Sequence, residues 1–157
     1  MSVKVAVRVR PFNERELKSN PQCCIKMDGP STVIQNQDGS DRNFTFDYSF
    51  WSHDNFEPDE NGYSNPVPHS NYADQNHVYE VLGKQVLDNA WEGYHCCLFA
   101  YGQTGSGKSY SMVGYGANLG IVPMACNEIF KRINSNSDPK CTFEVQFSML
   151  EIYNEKV

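Results

Sequence analysis

Short stretches of alternating hydrophobic and polar residues open the chain. From Val3 to Arg10 nearly every second residue is a valine, which is the pattern of a strand with one face against a core, and Pro11 ends it. Three further strand-like runs follow, separated by turns rich in Gly, Pro and Asp, and they predict a small antiparallel lobe. These runs are Cys23–Met27, Thr32–Gln35 and Asn43–Tyr48.

A helical period replaces the alternation in two later segments. Apolar residues recur at helical spacing within 74–91, and Gly93 follows as a C-terminal glycine. A second helix is predicted from Pro123, because the fixed φ of proline suits a first helical turn. The alternation returns within 141–152 and predicts a long strand.

The segment 54–71 follows neither period. It contains Pro58, Pro66 and Pro68 together with asparagines and acidic residues. We expect a long polar insertion loop at the surface, disordered in its middle.

A phosphate-binding motif follows an apolar run at Cys96–Tyr101, which is typical of a strand buried on both faces. The motif is Gly102-Gln103-Thr104-Gly105-Ser106-Gly107-Lys108-Ser109, and it matches G-x-x-x-x-G-K-[ST], the P-loop. Its glycines permit backbone conformations that turn successive N–H groups toward phosphate oxygens. Lys108 is expected to reach the β- and γ-phosphates, and the hydroxyl of Ser109 is expected to hold Mg²⁺.

The segments before and after this motif indicate whether it is a phosphate-binding site or a chance match to the pattern. A chance match in a Gly/Ser-rich turn is the alternative, but a strand pattern before the loop and a helix start after it favour a phosphate site. The alternation of strands and helices around the loop predicts an α/β P-loop NTPase fold. Its expected architecture is three-layered, with a mainly parallel central sheet and a small antiparallel lobe.

Composition narrows the classes of partner. The chain has 157 residues and a net charge of −6, which argues against binding to nucleic acid by bulk electrostatics. No apolar run is long enough to span a bilayer, and the N-terminus is not that of a signal peptide. The six cysteines have no zinc spacing and are expected to be small buried hydrophobes in a reducing cytosol.

Arg8 and Arg10 share one face of the first predicted strand. Their spacing alone favours two solvated charges over a planar guanidinium platform for a nucleotide base.

Several segments, in order and with matching spacing, resemble the kinesin motor domain. The match around the P-loop is far more extensive than the bare motif, and it runs from Gly93 to Met112. The Lys108-Ser109-Tyr110 variant and the segment 46–53 resemble the kinesin-three transport class, some members of which have an insertion like 54–71. The other matching segments are Val7-Arg8-Val9-Arg10-Pro11-Phe12, Gly120-Ile121-Val122-Pro123 and Glu151-Ile152-Tyr153-Asn154-Glu155-Lys156-Val157.

The resemblance implies a microtubule-stimulated ATPase that moves along microtubules, with ATP and Mg²⁺ as ligands. It also assigns Arg8, Arg10, Pro11 and Tyr110 to the surroundings of the adenine, and the turn at 114–120 to a loop that overhangs the nucleotide. The implied location is the cytoplasmic cytoskeleton, on tubulin. A coiled coil and a cargo-binding tail are implied for the full-length protein.

Residues 1–157 are expected to be only the N-terminal portion of such a motor domain. Both switch motifs of the family, a Ser-Ser-Arg-Ser-His type and an Asp-Leu-Ala-Gly-Ser-Glu type, are missing from the sequence, as are the main microtubule-binding segments. These switches sense the γ-phosphate and position the attacking water. We therefore expect no catalytic residue within this chain, and nucleotide binding without efficient hydrolysis.

Two other classes of function stay open at this stage. One is a non-motor nucleotide-binding or regulatory fragment. The other is an unrelated P-loop kinase or GTPase, against which stand the missing Asn-Lys-x-Asp guanine motif and the missing basic lid segment.

Overall fold

The computed structural model describes residues 3–156, and the chain divides into two compact units, Met1–Ala125 and Cys126–Val157. Within residues 3–125, the first unit contains nine short strands. The strands are β1 (Ala6–Val9), β2 (Ile25–Asp28), β3 (Ser31–Ile34), β4 (Arg42–Thr45), β5 (Tyr48–Trp51), β6 (Phe56–Pro58), β7 (Ser64–Pro66), β8 (Gly114–Tyr115) and β9 (Asn118–Leu119).

The helices of the described residues lie between and after these strands. A single run contains α2, one π-helical turn at Tyr79–Gly83 and α3, so the predicted helix at 74–91 is confirmed. The helices are α1 (Glu14–Leu17), α2 (Gln75–Val78), α3 (Lys84–Trp91), α4 (Lys108–Met112) and α5 (Ile121–Ser135).

The parallel sheet expected at the centre of the fold is represented by β1 and β5. They pair in parallel, with Ala6 opposite Tyr48 and Val9 opposite Trp51. The predicted antiparallel lobe is confirmed as the meander β2-β3-β4. The sequence pattern had joined β4 to the start of β5. The structure separates them at 46–47, where the chain leaves the meander and enters the parallel pair.

The core of the first unit lies between β5, α2 and the start of α5. Gly83 in the π-helical turn permits this packing, because a Cβ there would clash with the ring of Tyr79 and the side chain of Ile121. The buried apolar residues of the core cluster are Phe50, Ala73, Val78, Tyr79 and Ile121.

Two predicted strands are absent from the described residues. The run Cys96–Tyr101 is irregular and has no ladder partner, and Tyr101 is 96% exposed. The run Cys141–Ile152 is likewise irregular, with Met149 87% exposed. Both predictions are wrong for this structure, because neither an apolar run nor an alternating pattern forms a strand where no neighbouring strand accepts its backbone hydrogen bonds.

The prediction of buried cysteines is also wrong. Five of the six are exposed and Cys96 is partly exposed, all as free thiols. Cys96 and Cys97 belong to the unpaired run at 96–101, and Cys23 and Cys24 precede β2 rather than lying inside it. Their surroundings therefore lack the second packed layer that would bury them.

The insertion 54–71 is more ordered than its composition suggests. It contains the antiparallel hairpin β6–β7, with Phe56 opposite Pro66 and Pro58 opposite Ser64. The expectation of disorder in its middle is therefore wrong. Local hydrogen bonds, which a search for hydrophobic periodicity does not detect, close this hairpin.

No helix of residues 3–156 combines the length and the apolar character that crossing a membrane requires.

Candidate phosphate-binding site

The P-loop leads directly into α4, as predicted from the sequence. Gly107 caps this helix with φ of 98°, in the left-handed region that glycine occupies without strain. The ammonium of Lys108 donates to the carbonyl oxygens of Gly102 and Gln103, each at 2.9 Å. Lys108 thus crosses the mouth of the loop, and Ser109 is exposed beside it. Both side chains are accessible to a phosphate group.

Arg10 fastens the P-loop to the first strand. Its Nε donates to the carbonyl oxygen of Gly105 at 2.7 Å, so the loop is bonded to the residue that directly follows β1. Its two terminal nitrogens donate to the two carboxylate oxygens of Glu16, both at 2.7 Å. Arg10 therefore joins three elements, β1, α1 and the P-loop, through one planar group. The prediction of two freely solvated charges does not hold for this residue.

Glu16 has a second role at the start of α1. Asn13 caps that helix, and Glu16 returns a hydrogen bond to the Asn13 backbone N–H at 2.8 Å, which completes a capping box. The Arg10 guanidinium, with this backbone hydrogen bond, lowers the pKa of Glu16 to about 2. The ion pair with Arg10 is consequently intact at any pH near neutrality.

The pairing of Arg10 with Glu16 predicts a defined acid dependence. Because the pKa of Glu16 falls from 4.5 to about 2 on folding, its stabilising effect is present above pH 4.5 and is lost as the pH falls toward 2. We expect the free energy of unfolding of the wild type to decrease across this window. The variant Glu16→Gln should lose less stability over the same interval. Denaturant unfolding at a series of pH values measures the difference, and parallel curves for the two proteins would contradict it.

Arg8 joins the elements behind the P-loop. Its Nε donates to Ser52 Oγ at 2.8 Å, and one terminal nitrogen donates to Gln75 Oε1 at 2.7 Å and to Ser111 Oγ at 3.1 Å. The guanidinium carbon lies 5.3 Å from the centre of the Tyr110 ring. Burial lowers the pKa of Arg8, and the nearby Tyr110 partly opposes that change. Arg8 thus contacts the residue that follows β5, as well as α2 and α4.

The resemblance placed Arg8 and Tyr110 around an adenine, and the structure gives them additional partners. Besides the bonds above, Arg8 donates to the Ala73 carbonyl oxygen at 3.4 Å. Its donors are therefore engaged by protein acceptors. The pKa of the Tyr110 hydroxyl is raised, chiefly by burial.

One cavity of about 420 Å³ brings many of the predicted site residues together. Residues of β1, of the run 98–101 and of 106–112 contribute to its lining. The predicted residues that line it are Arg8, Arg10, Pro11, Ser106, Gly107, Lys108 and Tyr110. Gln103 lies with Arg10 and Ser106 in a second, shallower depression. Gly102, Thr104, Gly105 and Ser109 are part of the loop but do not line the first cavity.

Several residues that hold the site together were missed by the sequence analysis. Ser52, Gln75 and Ser111 accept from Arg8, and Glu16 accepts from Arg10. Only Glu16 had a local signal, because Asn13-x-x-Glu16 is a capping-box pattern. The others are brought to Arg8 from distant parts of the chain. Ser52 and Ser111 lie inside the matching segments 46–53 and 93–112, but neither segment indicates a contact with Arg8.

The turn at 114–120 forms the two-stranded hairpin β8–β9 next to α4. Gly114 has φ of 80°, and a Cβ at this position would overlap the backbone of Asn118 and Gly120. Gly116 also has a positive φ, of 55°, but a Cβ there meets open space.

This contrast predicts unequal effects of two matched substitutions. Gly116→Ala should cost about 1 kcal/mol, from backbone strain alone. Gly114→Ala should cost at least about 2 kcal/mol more, because the backbone of 118–120, which faces Gly114 in the hairpin, has to move away. Thermal unfolding of both variants compares them. Equal losses of stability would show that the tight packing at Gly114 is unimportant.

Comparison with known proteins places this geometry in a family. The family model described as kinesin motor domain matches residues 8–157. The chain belongs to the kinesin motor-domain family. It is 50% identical over 159 residues to kinesin-like protein KIF28 of Rattus norvegicus, a match that covers 99% of this chain and 15% of that protein. It is 45% identical to kinesin-like protein KIF13A of Homo sapiens, covering 99% of this chain and 8% of the relative.

Solved structures give the same result for the fold. A KIF14 segment with ADP, in complex with a microtubule, superposes with a TM-score of 0.75 at 40% identity. The match covers 88% of this chain and 35% of that chain. The kinesin chain described here therefore has the P-loop NTPase fold, and it spans less than a sixth of the length of the curated relatives cited above.

Proposed function

We propose that this kinesin chain is the ATP-binding part of a microtubule motor. In the intact domain, ATP hydrolysis would be coupled to movement along microtubules in the cytoplasm. The observation that carries the proposal is the P-loop geometry: Lys108 spans the mouth of a loop that Arg10 holds in place through Gly105. Membership of the kinesin family and a microtubule-bound structural neighbour support the motor assignment.

The residues present suit Mg-ATP. Lys108 would exchange its contacts with the Gly102 and Gln103 carbonyls for the β- and γ-phosphates, and Ser109 would offer its hydroxyl to Mg²⁺. The backbone of Gln103, Thr104, Gly105, Ser106 and Gly107 would surround the phosphates. Pro11, Arg10, Tyr110 and Arg8, which all line the cavity, would surround the base.

Hydrolysis is a separate step that this chain is not equipped to perform efficiently. Neither switch motif occurs in the sequence, so no side chain is assigned to activate water. The bound triphosphate would be aligned by the P-loop and released largely unreacted. Microtubule contact and cargo attachment would fall to segments outside this sequence.

Steady-state ATPase assays on the 157-residue chain, with and without microtubules, test the proposal together with a binding titration. We expect binding of a fluorescent Mg-ATP analogue and turnover near background in both conditions. Absence of binding would overturn the assignment of the P-loop in this chain. Strong stimulation of turnover by microtubules would overturn the statement that the catalytic residues are missing.

A further inference from the structure

The hairpin β6–β7 of the insertion is closed by its own acidic residue. The Asp59 carboxylate accepts from the backbone N–H groups of Asn61 at 2.8 Å and Tyr63 at 2.9 Å. These bonds, led by that from Tyr63, lower the pKa of Asp59. At its base the hairpin packs the ring of Phe56 against Tyr72, with 5.0 Å between ring centres. The turn of the hairpin and its base are therefore both held in a defined conformation.

Asn118 of β9 binds the backbone of the hairpin with both ends of its side-chain amide. Its Oδ1 accepts from the Ser64 backbone N–H at 3.0 Å, and its Nδ2 donates to the Gly62 carbonyl oxygen at 2.8 Å. The pair of bonds fixes the orientation of the amide, and it joins segments more than 50 positions apart in sequence. The hairpin therefore holds the loop that follows the P-loop helix.

Gln75 carries this connection onward to α4. Its side chain is only 2% exposed, and its Nε2 donates to the carbonyl oxygens of Asn118 at 3.2 Å and Tyr110 at 2.8 Å. Its Oε1 accepts from Arg8, so its side-chain amide is bonded at both ends. A buried amide that bridges two backbone carbonyls resists displacement, because moving it leaves polar groups unpaired.

A further hydrogen bond joins the hairpin to the start of α2, the helix that contains Gln75. The Asn76 backbone N–H donates to the Tyr63 hydroxyl at 3.3 Å. Burial raises the pKa of that hydroxyl, so Tyr63 is neutral at physiological pH. Two hairpin contacts, one through Asn118 and one through Tyr63, therefore meet at the start of α2.

We propose that Asn118 and Gln75 are positioning residues through which the insertion hairpin fixes α4, the helix that carries Lys108 and Ser109. This proposal rests on the proposed function, because it assigns the hydrogen bonds of Asn118 and Gln75 a role in the affinity of the P-loop for Mg-ATP. The hairpin then acts as an external brace of the nucleotide site. By reciprocity, Mg-ATP binding stabilises the hairpin by the same free energy as the hairpin stabilises the bound state.

Hydrogen exchange and nucleotide titration of the 157-residue chain test the brace. Asn118→Ala removes both bonds to the hairpin, and Asn61→Ala is the matched control, because it changes an exposed amide in the hairpin turn. In Asn118→Ala we expect faster exchange in 56–66 and also in 108–113, with a Mg-ATP Kd raised by about tenfold. Asn61→Ala should leave the Kd and the exchange in 108–113 at wild-type values.

Three results would overturn the brace. One is faster exchange in Asn118→Ala that is confined to 56–66, with an unchanged Kd. Another is wild-type chain that binds Mg-ATP without any gain of protection in 56–66. The third applies if Asn118→Ala does not fold. The variant Asn118→Asp keeps the acceptor for the Ser64 N–H and loses the donor to the Gly62 carbonyl oxygen. Wild-type exchange rates in 108–113 of Asn118→Asp would then reject the proposal.

Failure of the proposed function has a different signature. If the wild type binds no Mg-ATP, the P-loop assignment fails for this chain. The exchange rates in 108–113 of the Asn118 variants still report whether the hairpin fixes α4, since that measurement needs no nucleotide.

Discussion

Lys108→Ala is expected to abolish measurable binding of Mg-ATP to this kinesin chain. The Lys108 ammonium already lies at the mouth of the P-loop, 2.9 Å from each of two loop carbonyl oxygens. In the complex it would make charge-assisted hydrogen bonds to two phosphates, each contributing about 1.5–3 kcal/mol. Losing about 3 kcal/mol or more raises the Kd by at least about 100-fold.

Titration with a fluorescent Mg-ATP analogue measures this loss, and Lys26→Ala is the matched control. Lys26 is exposed on β2, and its removal changes the net charge of the chain by the same amount. The control should bind as the wild type does. A Kd for Lys108→Ala within a fewfold of the wild-type value would show that nucleotide binds elsewhere. Ser109→Ala adds a second readout, because it should reduce the dependence of binding on Mg²⁺.

Arg8→Ala is expected to lower the stability of the first unit markedly. Arg8 donates to Ser52, Gln75 and Ser111, and two of these acceptors, Ser52 and Gln75, are each 2% exposed. Removing it leaves buried polar atoms without this donor and opens a void between β5, α2 and α4. We expect a loss of about 2–3 kcal/mol in the free energy of unfolding. The melting temperature should fall by roughly 5–10 °C.

Thermal unfolding compares Arg8→Ala with Arg8→Lys and with Arg42→Ala. Lysine keeps the charge but lacks the planar, five-donor fork, so Arg8→Lys should lie between the wild type and the alanine variant. Arg42 is exposed on β4, and its removal should change stability by no more than about 0.5 kcal/mol. Wild-type stability in Arg8→Ala would contradict the structural role given to this arginine.

Local patterns in the sequence anticipated the local structure well. The valine alternation gave β1, the turn residues gave the meander β2-β3-β4, and helical spacing gave the run from α2 to α3. The P-loop motif predicted a helix start after the loop, and α4 begins there, at Lys108. Each of these features depends on residues within a few positions of one another, so the sequence alone carries the information.

Predictions that needed a distant partner failed or were incomplete. The runs at 96–101 and 141–152 have the apolar pattern of strands but no ladder partner among residues 3–156. The hairpin at 56–66 was hidden, because Asp59 and Asn118 stabilise it through polar bonds rather than through an apolar period. The residue pattern of a segment indicates its local preference for a strand or a helix. It does not show whether distant segments supply the backbone or side-chain partners that the structure needs.

The sequence by itself determined the chemistry of the site: a P-loop with Lys108 and Ser109, placed before a helix, in a chain that resembles kinesin. Only the tertiary structure decided which side chains hold that loop in place. Arg10 reaches Gly105, and Arg8 reaches Gln75, across 95 and 67 positions. A phosphate-binding loop has a recognisable spacing because its ligand contacts are local backbone groups. The residues that support it are selected by proximity in space, and spacing along the chain does not encode them.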